Sequence, residues 1–235
     1  LGLAQELVVL THSSFSLDKA LIARFQEETG IRLRFLKGGD AGETLNKAIL
    51  SKGAPIADVL YGFDNTFLSR ALEADILLPY VSPEIRNLRS ELLLDPSFRA
   101  IPVDYGFVSL NYDRAYFRGK ALPQRPEDLA RPELAFFQVE FVGILKGTKN
   151  LEAARRFVDW LLSRPVQENI PTEMWVYPAR RDARLPEVFR FTPPPAGAVR
   201  LDPARMAANR ERWIEEWTRV VLQGQDPEAV RAGRR

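Results

Sequence analysis

The strongest constraint on this chain is the alternation of strand and helix patterns across its first third. Leu7-Val8-Val9-Leu10 is a continuous apolar run, the pattern of a strand covered on both faces. Leu17, Ala20, Leu21, Ile22 and Phe25 then recur at helical spacing, with Ser16 as the predicted N-cap and Gly30 just past the end. Ile31-Arg32-Leu33-Arg34-Phe35-Leu36 alternates with period two, as a half-exposed strand does. Gly38-Gly39-Asp40-Ala41-Gly42 leads into a helix from Glu43 to about Lys52, and Ala57–Gly62 is a third strand. Asp64 or Asn65 can cap the next helix, which runs through Phe67, Leu68, Ala71 and Leu72. Strand–helix–strand repetition at this spacing demands right-handed crossovers. The expected fold is α/β: a doubly wound, mostly parallel sheet flanked by helices. Ligands bind such sheets at the carboxyl ends of strands. A site is therefore expected at Thr11-His12-Ser13-Ser14, Lys37-Gly38-Gly39-Asp40 and Gly62-Phe63-Asp64-Asn65.

The middle of the chain has a different pattern. Ile101–Asp113 reads as one long strand containing Gly106, and Phe136–Leu145 as a second containing Gly143. Glycine inside a strand marks a bend or a close approach. The two are joined by a proline-rich connector, Leu122–Pro132. Asn150 is placed to cap a helix with Ala153, Ala154, Phe157, Val158, Leu161 and Leu162 on one stripe, ending before Pro165. A short helix near Val166–Ile170 and a loop from Pro171 to Pro178 follow. Asp202-Pro203 is an N-cap with proline at the first helical position. The helix it starts carries Met206, Trp213, Ile214, Trp217, Val220 and Val221 on one side, closes at Gly224, and is expected to pack Trp213 and Trp217 into a core.

Composition excludes several chemistries. The absence of cysteine removes disulfides, thiolate metal sites and cysteine nucleophiles. One histidine and no Asp-x-Asp-x-Asp-Gly loop leave no metal site to predict. A net charge of +2, with 31 acidic residues interspersed among 33 basic ones, argues against a nucleic-acid surface. No apolar run approaches the roughly 18 residues of a membrane span. The first residues, Leu1–Glu6, fit either a mature chain whose signal has been removed or a trimmed one.

Candidate site residues have competing readings. His12 next to Ser13, with Asp58 or Asp64 on a neighbouring strand, admits a small hydrolase, although no Gly-x-Ser-x-Gly elbow is present. The glycine loop at 38–42 could hold an anion at a helix N-terminus or simply make a turn. Trp175 and Tyr177 either offer ring faces to a flat or cationic ligand or plug the core.

Three segments together resemble the thiamine-binding branch of the substrate-binding proteins of bacterial ABC importers, within the type II periplasmic binding proteins. They are Leu10-Thr11-His12-Ser13-Ser14-Phe15, Ala57–Asn65 with its Gly-Phe-Asp-Asn, and Val139–Asn150 with the helix to Ser163 and then Ile170-Pro171 and Met174-Trp175-Val176-Tyr177-Pro178. Val103-Asp104-Tyr105-Gly106-Phe107 resembles the family's lobe-crossing strand. The resemblance implies a non-catalytic protein with two lobes closing by a hinge on thiamine or a thiamine phosphate, delivered to an ABC permease. It implies a periplasmic or extracellular location. It also implies that Asp64 meets the aminopyrimidine or balances the cation, and that Gly62 lets the backbone approach the ligand. Trp175 and Tyr177 would supply ring faces, and His12 stands where the family often has an aromatic. No cofactor or metal is implied.

The chain departs from the family after Pro126–Glu133, where Leu134-Ala135-Phe136-Phe137 leads directly into the return strand. About a lobe's worth of chain, on the order of 100 residues by domain norms, is missing there. The expected organisation is residues 1–103 and 137–235 as the first lobe with C-terminal helices, and 104–136 as hinge strand and shortened second lobe. The two crossing strands should then pair as an antiparallel ribbon, and ligand binding should be weakened. The alternative is a single-lobe folding unit that binds no ligand and self-associates as a homodimer through its exposed cleft face.

Overall fold

The computed structural model describes residues 5–108, 118–119, 136–192, 194–195 and 198–233. It contains two compact units, Leu1–Arg200 and Leu201–Arg235.

In the larger unit, β1 (Gln5–Thr11), α1 (Lys19–Thr29), β2 (Ile31–Lys37), α2 (Ala41–Leu50) and β3 (Val59–Asp64) follow the predicted alternation. Asp18, not Ser16, caps α1, its carboxylate accepting from Ala20 N at 2.7 Å. Asp40 caps α2 in a reciprocal capping box with Glu43. Then come α3 (Leu68–Glu73), β4 (Leu77–Leu78), β5 (Ile101–Val108), β6 (Phe136–Leu145), α4 (Leu151–Leu161), α5 (Arg164–Met174) and β7 (Tyr177–Pro178).

The described strands form one sheet in the order β2-β1-β3-β6-β5-β7, with β4 also paired to β6. β1 runs parallel to β2 and to β3, but β3–β6, β4–β6, β5–β6 and β5–β7 are antiparallel. The sheet is therefore mixed, and the expected mostly parallel arrangement holds only for its N-terminal half. β5 and β6 do pair as an antiparallel ribbon. The connector on which the shortened second lobe rests, residues 109–135, lies outside the described residues apart from 118–119, as does the expected continuation of β5 to Asp113.

Burial follows position in the sheet. Every residue of central β3 is buried, whereas edge strand β2 alternates buried and exposed over its first four residues. α4 buries Ala153, Ala154, Phe157, Val158 and Leu161, the stripe read from sequence. α5 extends past the predicted break and carries Pro171 inside it. Burial of Val166, Ile170 and Pro171 outweighs the intrinsic cost of an internal proline. Gly143 is a close approach, because a Cβ there would lie 2.8 Å from the Arg99 carbonyl oxygen.

The smaller unit holds α6 (Pro203–Trp217), capped by Asp202 as expected, a π-helical turn over Thr218–Leu222, and α7 (Pro227–Ala232). Met206 is buried, but Ile214 and Trp217 are more than half exposed, against the expected core role for Trp217.

Among the described residues no helix is long and apolar enough to cross a membrane.

Candidate functional site

Strand order reverses at β1: the chain steps from β1 to β2 on one side, then crosses to β3 on the other. The gap beyond the carboxyl ends of β1 and β3 is the switch point where such sheets bind ligands. The sequence places His12, Gly62 and Asp64 there.

His12 follows β1 and is mostly buried. Its Nδ1 accepts from Ser14 N at 3.1 Å, so the ring is assigned the tautomer in which Nε2 donates to the Glu140 carboxylate, also at 3.1 Å. Glu140 lies on β6, directly across from Asp64 on one side and Asp104 of β5 on the other. Beneath it, Tyr61 donates to Asp104 Oδ2 at 2.8 Å, and both of those residues are fully buried. Burial, then the nearby Glu140 charge, pushes the Asp104 carboxyl well above the usual carboxylate range, and the hydrogen bond from Tyr61 offsets this only in part.

Asp64 does not cap α3, whose N-cap is Phe67. One of its carboxylate oxygens accepts from Thr66 N and Oγ1, and the other accepts from Gln138 Nε2 at 2.8 Å. Three of about four acceptor positions are therefore used within the protein.

Gly62 has a role that the sequence did not reveal. It sits at the irregularity between Tyr61 and Phe63 in the β3–β6 register, with φ +89°. A Cβ there would fall 2.0 Å from His12 Cδ2. The glycine makes room for the imidazole, so close approach of a ligand is not needed to explain it.

Trp175 and Tyr177 part company. Tyr177 is the direct partner of Tyr105 across β5–β7, and their rings stack at 5.2 Å. Neighbouring strand residues point to opposite faces, so this pair faces away from Asp104 and Glu140. Phe137 and Phe189 pack around it, and the Tyr177 hydroxyl donates to the Thr192 carbonyl at 2.5 Å. Tyr177 is thus a packing residue. Trp175 ends α5 in the left-handed region, φ 59°, with 68% of its surface exposed and one face near-parallel to Phe189. A non-glycine residue held there is strained. Ser16, in the loop that follows His12, donates to Glu173 at 3.0 Å, which ties the end of α5 to that loop. The Trp175 ring itself stacks on Phe189, which also packs against Tyr177, so the indole belongs to that aromatic cluster at the end of α5.

The remaining readings are narrowed by geometry. The Ser13 hydroxyl donates to the Gly39 carbonyl at 3.1 Å, and both His12 nitrogens are engaged elsewhere, so the pairing a hydrolase needs is not made. The Gly38 and Gly39 carbonyls accept from Lys47 and Ser13, and the Asp40 carboxylate occupies the N-terminus of α2. The loop is a turn and a cap, not an anion cradle. No cluster of three or more metal-ligating side chains occurs among the described residues.

Neither Glu140 nor Asp104 stands out in the sequence as a site residue. The available signal was a single carboxylate interrupting each of two apolar strands, Val139-Glu140-Phe141 and Val103-Asp104-Tyr105.

Residues 54–136 match the family described as bacterial extracellular solute-binding protein. A thiamine-binding periplasmic protein of Escherichia coli is 36% identical over 86 residues, 37% of this chain and 26% of that protein. The chain thus aligns with about a quarter of that relative's length. In structure it is similar to a periplasmic thiamin binding protein, with a TM-score of 0.75 and 20% identity over 92% of this chain and 96% of that one. It is equally similar, at TM-score 0.75 and 17% identity over 91% and 98% of the two chains, to the periplasmic binding protein AfuA from Actinobacillus pleuropneumoniae with fructose-6-phosphate bound. In fold the chain is thus similar to these periplasmic binding proteins, and the segment 54–136 is similar in sequence to the solute-binding family.

Proposed function

We propose that the chain is a non-catalytic solute-binding protein that captures thiamine, or a thiamine phosphate, in the periplasm for an ABC permease. Fold alone does not choose the ligand, since a sugar-phosphate binder shares it equally well. The observation that carries the reading is the switch-point cluster, Glu140 and Asp64 side by side with His12 donating to Glu140; the exposed Trp175 indole ends α5, which Glu173 ties to the loop after His12. Adjacent carboxylates with an aromatic face suit a flat organic cation, each cation–aromatic contact adding about 0.5–2 kcal/mol. Sequence similarity to thiamine-binding proteins supports the same choice. We further propose that the connector after Glu133 is shortened and leaves the pocket closed on one side only, so that thiamine binds in the micromolar range or weaker. Titration calorimetry with thiamine, thiamine monophosphate and fructose-6-phosphate tests the reading. Binding of the sugar phosphate in preference to thiamine overturns the ligand, and submicromolar thiamine affinity overturns the weakened pocket.

A further inference from the structure

We propose that Asp104 holds a proton in the ligand-free protein and surrenders it to solvent when an organic cation docks against Glu140, so that capture is coupled to the release of one proton. The inference rests on the capture reading above. The carboxyl of Asp104 has no exposed surface, one hydrogen bond to Oδ2, and an Oδ1 with no partner among the described residues. Its direct neighbour across β5–β6 is a second carboxylate, Glu140. Two carboxylates packed this closely, one of them without water, do not both ionise readily unless a cation joins them.

Among the described residues, the groups facing Asp104 supply no such cation. From β3 there is the neutral Tyr61 hydroxyl, from β6 the Glu140 carboxylate, and across β7 Pro178. From α5, Gln167 donates its amide to the Val103 carbonyl. His12 reaches Glu140 only through Nε2, while its Nδ1 accepts a backbone N–H, as the neutral ring does. The buried carboxyl therefore lies well above the usual carboxylate range in the free protein. A cation beside Glu140 would favour the ionised form. In that step the O–H bond of Asp104 breaks, the proton passes to solvent, and the docked cation balances the charge left behind. By reciprocity, the proton weakens cation binding by the same factor that the cation weakens proton binding.

The test uses the whole chain labelled with 13C at aspartate and glutamate carboxyls, titrated by NMR with and without millimolar thiamine. The Asp104 resonance is identified by its loss in Asp104→Asn. The expected result is a titration above the ordinary carboxylate range in the free protein, moving down in thiamine. Thiamine affinity should rise about tenfold per pH unit between those two midpoints, and this slope should vanish in Asp104→Asn. If Asp104→Asn does not fold, Tyr61→Phe serves, moving the interval to higher pH by removing the hydrogen bond that favours ionisation. An Asp104 that titrates with ordinary carboxylates in the free protein overturns the held proton, whether or not thiamine binds. A slope that persists in Asp104→Asn assigns it to His12, Glu140 or Asp64 and overturns the coupling. If thiamine shifts no resonance, the capture reading falls together with the release step, while the free-protein titration still decides whether the proton is held.

Discussion

Gly62→Ala separates the two explanations for this glycine. The added Cβ would lie 2.0 Å from His12 Cδ2 and 2.8 Å from Nε2, so the imidazole has to move. Movement breaks its bond to Glu140 and its acceptance from Ser14 N. Each is worth about 0.5–1.5 kcal/mol net. Alanine at φ +89° adds about 1–2 kcal/mol of backbone strain. The expected destabilisation is therefore about 2–5 kcal/mol, or roughly 10 °C in melting temperature at 2–4 °C per kcal/mol for a chain of this size. Strain alone would give only the lower part of that range, so the decisive measurement is a double-mutant cycle by urea unfolding. His12→Ala removes the ring atoms that the new methyl would strike. In that background Gly62→Ala should cost only the strain, leaving a coupling of about 1–3 kcal/mol. Equal costs in both backgrounds, within about 0.5 kcal/mol, would refute the argument that His12 is what requires the glycine.

Other substitutions separate site from scaffold. Trp175→Gly should leave stability within about 1 kcal/mol of the parent, because relief of left-handed strain offsets the lost stacking on Phe189, yet lower thiamine affinity about 5–30-fold by calorimetry. Tyr177→Ala should do the reverse, costing about 3–5 kcal/mol in urea unfolding with little direct effect on ligand. Asp58→Ala, which removes the acceptor for Val8 N, Thr148 Oγ1 and Asn150 Nδ2, should cost about 2–4 kcal/mol, and a loss under 1 kcal/mol would show the hub to be dispensable. Stability conferred by the neutral Asp104 is complete below the ordinary carboxylate pKa of about 4 and is lost as pH rises toward its raised folded value. Asp104→Asn should therefore gain on the parent by up to about 1.4 kcal/mol per pH unit over that interval, and a pH-independent difference between the two would exclude the raised carboxyl.

Local features were legible where one element's own residues decide the outcome. β1 reads correctly because both faces of a central strand are covered, and α4 because its buried stripe is uninterrupted. Asp202 before Pro203 fixes the start of α6 by capping chemistry alone. What was not legible depends on register between distant strands. Glu140 meets Asp64 and Asp104 only because β6 lies between β3 and β5, and no periodicity within Val139–Leu145 announces those partners. Pro171 misled for a related reason, since its cost is local while the burial that offsets it is tertiary.

The same distinction limits what a resemblance can carry. Position was legible, since His12, Gly62 and Asp64 lie at or near the carboxyl ends of β1 and β3. Contacts do not transfer with it: Gly62 serves His12, Asp64 is largely occupied by Thr66 and Gln138, and Tyr177 faces the other side of the sheet. Because the fold holds a sugar phosphate in one relative and the site here sets carboxylates side by side, ligand class must be decided by local charge. If the proposed site is the binding site, Glu140 and Asp64 should repel an anion at the distances where they attract a cation, with Coulomb energies of roughly 4 kcal/mol at 4 Å in a partly screened environment. Reversing that preference should require replacing both carboxylates, because removing either one still leaves an uncompensated negative charge beside a neutral His12.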